Sequence, residues 1–250
     1  MSAAIRRFGL IGFPLTHSFS EKYFAEKFEK ENIRDAVYEN FPLEKISDIT
    51  SLRSIENLNG LNVTIPYKES VIPFLDELSS EASEIGAVNC IHIKDGKWIG
   101  HNTDAFGFEM SIKPFLENKY ERALILGTGG GSAAVAHVLK KWNITFHFVS
   151  REKSGANIIR YDELEAATMQ HFHLLINTTP LGMLPNIDAA PEIPFDAIGP
   201  SHFLYDLIYN PQMTSFLRKG KDKGAHVMNG LKMLEIQAER SWQIWNDEAV

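Results

Sequence analysis

The sequence predicts an α/β protein with two domains. Short apolar segments with strand character alternate with amphipathic segments along most of the chain, a pattern typical of sheets whose strands are connected by helices. Near the middle, a second β-α-β series begins at Arg122–Leu126 and includes a glycine-rich loop. A chain of 250 residues is long enough for two domains of modest size.

The composition narrows the class of protein. Hydrophobic residues make up 44% and charged residues 23% of the chain, which is typical of a globular fold and excludes a disordered chain. The net charge of −7 argues against a surface for nucleic acid or an anionic membrane, because such surfaces are basic. Cys90 is the single cysteine, so neither an internal disulfide nor a Cys-rich zinc site can form. No apolar run approaches the ~18 residues of a membrane-spanning helix. We therefore expect a cytoplasmic protein that binds no nucleic acid, membrane or metal.

The first half of the chain predicts a run of strands connected by helices. The segments with strand character are Phe8–Ile11, Val37–Asn40, Leu61–Thr64, Ala87–Lys94 and Lys97–Gly100. Ser20 is a favourable N-cap for a helix that extends to Lys30, and Pro42 and Pro66 each suit the first turn of a helix. The Pro66 helix would place Lys68 in its first turn. Asp-Gly at positions 95–96, between two extended segments, predicts a β-hairpin.

The second half predicts a separate domain. The segment 102–104, Asn-Thr-Asp, offers several N-caps for a helix, and we place the main domain boundary there. Beyond it, Arg122–Leu126 and Thr145–Val149 are predicted strands, separated by a helix that ends near Lys141. Leu184–Pro200 predicts a long irregular connection at the surface.

The glycine-rich loop predicts a Rossmann-type dinucleotide site. It consists of Gly127, Thr128, Gly129, Gly130, Gly131 and Ser132. Gly127 suits a tight turn, Gly129 lets a pyrophosphate approach the backbone, and Ser132 is small where the fingerprint has Gly or Ala. The N-terminus of the following helix supplies N–H groups and a positive dipole for the phosphates. A close-packed turn is the simpler alternative, but the strand–loop–helix–strand context favours the nucleotide.

The residues after the next strand favour NADP over NAD. An NAD site usually has an acidic residue at the tip of that strand, whereas this chain has Ser150 and then Arg151. The planar guanidinium of Arg151 suits a 2′-phosphate, and Lys153 and the Ser150 hydroxyl are further donors. Glu152 between them opposes this interpretation.

Polar residues accumulate where predicted strands and helices meet. The candidates at these junctions are Ser18, Ser20, Asn62, Thr64, Lys68, Asn89 and Asp104. Asn62 and Thr64 are two positions apart and share one face of a strand. Each candidate has a simple structural explanation as a cap, a turn residue or a surface charge. Together they predict a site for a small polyhydroxylated molecule, in which Lys68 and Asp104 can take part in proton transfer.

The chain resembles the shikimate dehydrogenase family over nearly its whole length. The matching segments occur in the family's order and are Gly12–Ser20, Asn62–Lys68, Gly86–Asn89, Gly100–Asp104, the Gly127 loop, Asn177–Met183, Asp206–Pro211 and Asn229–Ala238. The resemblance implies NADPH-dependent, reversible reduction of 3-dehydroshikimate to shikimate, a step of aromatic amino acid biosynthesis through chorismate. So many ordered segments are far more specific than one nucleotide fingerprint.

The resemblance also implies roles for individual residues. The catalytic pair of the family corresponds to Lys68 and Asp104 in this chain. Its substrate contacts fall on Ser18, Ser20, Asn62, Thr64, Asn89, Tyr209 and Gln237. Its cofactor contacts, besides the Gly127 loop and Ser150, Arg151 and Lys153, fall on Asn177, Thr178, Thr179, Met183 and Gly230. It implies an N-terminal α/β substrate domain at 1–103, a Rossmann domain for NADP at 104–228, and a C-terminal helix in 229–250 that packs on the substrate domain. We expect a monomer or a homodimer.

The sequence departs from the family at three places. Glu21 follows Ser20 where the family usually has Pro, and Cys90 follows Asn89 where it usually has Thr. Ser150-Arg151-Glu152 stands in place of the family's Asn-Arg-Thr.

Several other classes of protein share single features with this sequence. Tyr23 and Lys27 have the Tyr-x-x-x-Lys spacing of short-chain dehydrogenases, but they precede the nucleotide loop, whereas that family places them after it. Zinc-dependent dehydrogenases need Cys and His ligands, whereas this chain has a single Cys and nine His that are scattered along the sequence. A quinate/shikimate dehydrogenase with relaxed use of NAD and NADP remains an alternative. So does a ligand-sensing relative without catalysis, although the presence of Lys68 and Asp104 argues against it.

Overall fold

The computed structural model describes residues 4–15, 19–116, 120–153 and 155–248. The chain divides into two compact units, unit 1 with Met1–Thr103 and Ala238–Val250, and unit 2 with Asp104–Gln237. Each unit is built on one six-stranded sheet. The predicted α/β class is therefore confirmed.

Unit 1 combines parallel and antiparallel strands. Its strands are β1 (Arg6–Gly12), β2 (Ala36–Pro42), β3 (Leu58–Val63), β4 (Glu77–Leu78), β5 (Cys90–Lys94) and β6 (Lys97–His101). Their order in the sheet is β2-β1-β3-β5-β6-β4. β1 pairs in parallel with β2 and β3, whereas β5 is antiparallel to β3 and β6. Asp95 and Gly96 have φ values of 51° and 77°, as the predicted β5–β6 hairpin turn requires.

Helices α1 (Phe19–Lys30) and α2 (Ser80–Ile85) belong to unit 1, and α7 (Leu231–Trp245) contributes its residues from Ala238 onward. Phe24 lies in a core cluster with Phe8, Trp242 and Trp245. The Phe8 and Trp245 rings stack at 4.9 Å between centroids. Gly60 makes this packing possible, because a Cβ there would lie 2.2 Å from Trp245 Nε1. The C-terminal end of α7 is thus fixed against the sheet by aromatic contacts.

Unit 2 has the strand order of a doubly wound dinucleotide-binding fold. Its strands are β7 (Arg122–Leu126), β8 (Thr145–Ser150), β9 (Ile158–Arg160), β10 (Leu174–Asn177), β11 (Phe203–Asp206) and β12 (His226–Met228), and its helices are α3 (Asp104–Ile112), α4 (Gly130–Lys141), α5 (Ala166–Met169) and α6 (Ser215–Asp222). The order is β12-β11-β10-β7-β8-β9, and each neighbouring pair is parallel. The order reverses between β7 and β10, and ligands of such sheets bind outside the carboxyl ends of the strands at that point.

Three local predictions were wrong. The first helix begins at Phe19, so Ser20 lies inside its first turn instead of capping it. Pro42 ends β2, and a 3₁₀ helix at Ile46–Ser54 follows. No α-helix begins at Pro66: the Tyr67 N–H donates to the Thr64 carbonyl in a turn, and Pro73, which lacks an N–H, lies in a 3₁₀ helix at Ile72–Phe74. Lys68 therefore lies in a turn.

One expected boundary also differs. Residues 229–237, which we assigned with the C-terminal helix to the substrate domain, group with unit 2. The reason is local packing, since the Gly230 N–H donates to the Ile208 carbonyl and a Cβ on Gly107 would lie 2.7 Å from the Met233 carbonyl. Among the described helices, none is long and apolar enough to cross a membrane.

Candidate functional site

The glycine-rich loop lies at the point where the strand order of unit 2 reverses. It follows β7, and the segment that begins with Thr178 follows the neighbouring β10. The Thr178 N–H and hydroxyl both donate to the Leu126 carbonyl, at 2.9 and 2.8 Å. Gly127 has φ of 115°, and a Cβ there would lie 2.7 Å from Thr178 Oγ1. Only glycine fits this turn, as the fingerprint predicts.

The start of α4 offers an open backbone surface. Gly129 is the N-cap, and a Cβ on it would meet nothing within 4 Å. Ser132 is buried, and its hydroxyl donates to the Gly129 carbonyl at 2.5 Å. The backbone at Gly129 therefore borders open space at a helix N-terminus, a position that suits a phosphate. Thr128, Gly130 and Gly131 complete the loop, so these residues fit the pyrophosphate of a dinucleotide.

Two exposed cations follow the carboxyl end of β8. The Ser150 hydroxyl accepts the Lys153 N–H at 3.0 Å, and this bond folds the segment into a tight turn. Lys153 Nζ lies 3.5 Å from the Thr128 carbonyl, so this ammonium group reaches the glycine-rich loop. Arg151 is exposed. A third cation, Arg160, is the register partner of Ser150 on β9, and its guanidinium pairs with Asp162 through two nitrogens at 2.9 and 2.8 Å.

The segment after β10 is shaped by a buried polar cluster. Asn177 is fully buried, accepts the Thr179 hydroxyl at 2.6 Å and donates to Asp206 at 3.0 Å. Burial raises the pKa of Asp206 to about 6, although it also accepts bonds from Thr214 and from the Ile208 N–H. The Asn177 and Thr179 side chains thus hold the loop in shape.

Of the two further predicted cofactor residues, Met183 lies at the surface and Gly230 lies in close packing. Met183 is exposed. Gly230 is required by packing, since a Cβ there would lie 2.1 Å from the Leu207 carbonyl.

Unit 1 contains a buried polar network around Asn62. The Tyr38 hydroxyl donates to Asn62 Oδ1 at 2.8 Å, and Asn62 Nδ2 donates to Ser241 Oγ at 2.9 Å and to the Asn89 carbonyl at 3.3 Å. The Ser20 hydroxyl also hydrogen-bonds to the Tyr38 phenol. Burial raises the pKa of Tyr38 well above its ordinary value, so the phenol stays protonated and donates. Asn62 and Asn89 are only 4% and 3% exposed, so little of either side chain is open to solvent.

The hydrogen-bond network extends to Thr103, the last residue of the first segment of unit 1. Asn89 Oδ1 accepts the Thr103 N–H at 2.6 Å, and Asn89 Nδ2 donates to Thr103 Oγ1 at 2.9 Å. Thr103 Oγ1 lies 3.2 Å from Ser241 Oγ, so Ser241 connects the two asparagines. The next residue along the chain is Asp104, which begins α3 and is 6% exposed.

The backbone of Lys68 is hydrogen-bonded to the residue that precedes Asn89 in this network. Its carbonyl accepts the Val88 N–H at 2.7 Å, directly before Asn89. Thr64 follows β3 and donates its N–H to the Ile11 carbonyl. Thr64 and Lys68 are both half-buried.

Two of the remaining predicted substrate residues, Tyr209 and Gln237, belong to unit 2. Gln237 lies on α7 against Gly107, one turn after Asp104 on α3, where the Gly107 Cβ position is 3.0 Å from Gln237 Cβ. Tyr209 is half-buried, and burial raises its pKa. Ser18 lies outside the described residues.

Sequence reasoning missed Tyr38 and Ser241. Ser241 could have been found, because it is four residues after Gln237 and therefore on the same helix face. Tyr38 could not, because it reaches Asn62 across β1 in a strand order that the sequence does not specify. Within the described ranges, no cluster of three or more His, Cys, Asp or Glu side chains could hold a metal ion.

Known proteins resemble the chain across both units. The model for the shikimate dehydrogenase substrate binding domain matches residues 10–91. The shikimate dehydrogenase (NADP(+)) of Desulforamulus reducens is 36% identical over 261 residues, which cover 95% of this chain and 88% of the relative. Shikimate dehydrogenase 1 of Peptoclostridium difficile has a TM-score of 0.86 at 37% identity, covering 98% of this chain and 93% of that one. The Thermus thermophilus shikimate 5-dehydrogenase, solved with NADP(H) and shikimate, has a TM-score of 0.85 at 30% identity, covering 97% and 94%. With more than a third of its residues identical over nearly the full length of such relatives, the chain belongs to the shikimate dehydrogenase family.

Proposed function

We propose that this protein is an NADP-dependent shikimate dehydrogenase that interconverts shikimate and 3-dehydroshikimate. The observation that carries this proposal is the match to shikimate dehydrogenase (NADP(+)) over 95% of this chain. The resemblance implies Lys68 and Asp104 as the catalytic pair. The glycine-rich loop at the reversal point of the unit 2 sheet supports the nucleotide, and the hydrogen-bonded asparagines of unit 1 support a ligand with several hydroxyls.

Lys68 is proposed to stabilise or protonate the reacting oxygen, and Asp104 to bind the neighbouring hydroxyl. When bound, NADPH supplies the hydride that reduces the C3 ketone of 3-dehydroshikimate. Negative charge develops on the ketone oxygen, and the Lys68 ammonium stabilises or protonates it. The Asp104 carboxylate accepts a hydrogen bond from the neighbouring hydroxyl and orients the ring. In the reverse direction the C3 hydroxyl passes its proton through Lys68 to solvent, and the hydride transfers to NADP.

The remaining residues are proposed to bind and orient the substrate and the cofactor. Ser18, Ser20 and Tyr209 bind the ring carboxylate, whereas Asn62, Thr64, Asn89 and Gln237 face the hydroxyl-bearing part of the ring. Arg151, Lys153 and Ser150 bind the 2′-phosphate that distinguishes NADP from NAD. A cytoplasmic location and the lack of a nucleic-acid partner are further proposals, which the single cysteine and the acidic charge support. A monomeric or homodimeric state is also proposed.

A four-way assay tests the proposed function. Initial rates are measured with shikimate or quinate, each with NADP or NAD. We expect shikimate with NADP to give the highest kcat/KM. Quinate has an additional hydroxyl on the carbon that bears the carboxylate, and a poorly paired hydroxyl costs about 1–3 kcal/mol, so we expect at least about tenfold preference for shikimate. Comparable kcat/KM for both substrates would favour a quinate/shikimate dehydrogenase, and no turnover with either would favour a ligand-sensing protein.

A further inference from the structure

The hydrogen-bond capacity of Asn62 is largely used within unit 1. A side-chain amide has two N–H donors and one carbonyl oxygen with two lone pairs. Both donors have protein acceptors, Ser241 Oγ at 2.9 Å and the Asn89 carbonyl at 3.3 Å. One lone pair accepts the Tyr38 hydroxyl at 2.8 Å. What Asn62 can offer a ligand is therefore the second lone pair of Oδ1.

The partners of Asn62 also fix which way its amide points. The Asn89 carbonyl can only accept, so it selects the nitrogen side of the amide, and the Tyr38 hydroxyl then donates to Oδ1 while the Ser241 hydroxyl accepts from Nδ2. Rotation of the amide by half a turn would place Oδ1 against the Asn89 carbonyl, where two acceptors have no proton between them. Unpaired groups of this kind are costly when buried, and Ser241 is fully buried.

We propose that Tyr38 and Ser241 are positioning residues that, together with the Asn89 carbonyl, hold Asn62 as a pure hydrogen-bond acceptor, so that the shikimate group facing Asn62 must be a hydroxyl. This inference rests on the proposed function, in which Asn62 binds shikimate. A ketone oxygen cannot donate, so the C3 oxygen, which becomes a ketone, is not the group that faces Asn62. Asn62 therefore selects one of the two hydroxyls that do not react.

The test uses Tyr38→Phe and Ser241→Ala, with matched controls. Tyr67→Phe removes a buried hydroxyl that donates to the Leu43 carbonyl at 2.6 Å, and Ser111→Ala removes one that lies 2.7 Å from the Tyr205 hydroxyl. Asn62 is hydrogen-bonded to neither control residue. For each protein we measure kcat, KM for shikimate, KM for NADP and the unfolding midpoint. The same assays use two shikimate analogues, each lacking one of the two hydroxyls that do not react.

We expect KM for shikimate to rise about tenfold in both test variants, with kcat and KM for NADP changed less than about twofold, because the lost contact is remote from the reacting carbon. The controls shift the unfolding midpoint without this rise. With one of the two analogues, KM is already raised in the wild type and rises no further in Tyr38→Phe, as a double-mutant cycle requires.

Two results would overturn the inference while leaving the proposed function intact. One is an unchanged KM for shikimate in both test variants of an active enzyme. The other is an equal rise in KM for shikimate and both analogues, which would indicate a general structural effect of the Tyr38 hydroxyl. Absence of shikimate turnover in the wild-type arm would instead overturn the proposed function, and the inference with it.

Discussion

Asn89 Oδ1 accepts a hydrogen bond from the Thr103 N–H at 2.6 Å. The preceding residue, Val88, donates its own N–H to the Lys68 carbonyl at 2.7 Å. Two adjacent residues thus hold the backbone of Lys68 and of the residue before Asp104. Because a catalytic group must be held within a fraction of an ångström of its working position, this arrangement gives the buried 88–89 segment a role in positioning the backbone of Lys68 and of Thr103.

Removal of the Lys68 side chain tests its proposed catalytic role. Lys68→Ala should lower kcat by roughly 10²–10⁴-fold, the usual contribution of one acid–base group. The half-buried side chain lies in a turn, so the unfolding midpoint should change little. Steady-state assays and thermal melts of Lys68→Ala are compared with those of Lys45→Ala, an exposed lysine of the same unit. Turnover near the wild-type value in Lys68→Ala would refute the mechanism.

Cofactor discrimination is expected to depend on Arg151. Arg151→Ala should weaken NADP binding by about 1.5–3 kcal/mol, the range for a hydrogen bond to a charged group, and leave NAD binding nearly unchanged. Fluorescence titration of both nucleotides gives the two affinities, with Arg218→Ala as an exposed arginine control in the same unit. If both nucleotides lost affinity equally, Arg151 would act on a part of the dinucleotide that they share.

Much of the fold could be predicted because its strongest signals are local. Asp95 and Gly96 adopt positive φ as their residue types favour, and Gly127 needs the conformation that only glycine reaches easily. The error at Pro66 has a different origin. Proline is compatible with a first helical turn, but the sequence signal did not include the Thr64–Tyr67 turn that the chain forms instead.

The site was predicted less completely because it depends on contacts between distant segments. The resemblance identified Asn62 and Asn89, yet it indicated neither how buried they are nor which partners orient them. Tyr38 approaches Asn62 only because β2 and β3 lie on either side of β1, and Ser241 approaches it only because α7 returns to unit 1. Such tertiary pairings are set by the packing of the whole sheet.

The packing of α7 on β3 should be sensitive to any side chain at Gly60. Gly60→Ala places a Cβ 2.2 Å from Trp245 Nε1, which donates to the Ile91 carbonyl at 3.0 Å. The indole must move, so we expect a loss of about 1–3 kcal/mol in the free energy of unfolding. Urea denaturation measures this loss. Gly199→Ala is the control, because a Cβ there meets nothing within 4 Å. Equal stability of the two variants would mean that Trp245 is not fixed as described.

Acid should destabilise the protein partly through His101. Burial, and then the nearby His92 and Arg240, lower the pKa of His101 to about 4, from an ordinary value of 6.5. The unfolded chain therefore binds a proton that the folded chain excludes, so His101 contributes stability above pH 6.5 that is lost as the pH falls toward 4.

Urea denaturation of wild type and His101→Gln at several pH values across this window measures the difference. We expect the variant to lose less stability on acidification than the wild type, whereas His226→Gln, at an exposed position, should follow the wild type. Parallel stability profiles for His101→Gln and the wild type would show that His101 takes up its proton equally in the folded and unfolded chains.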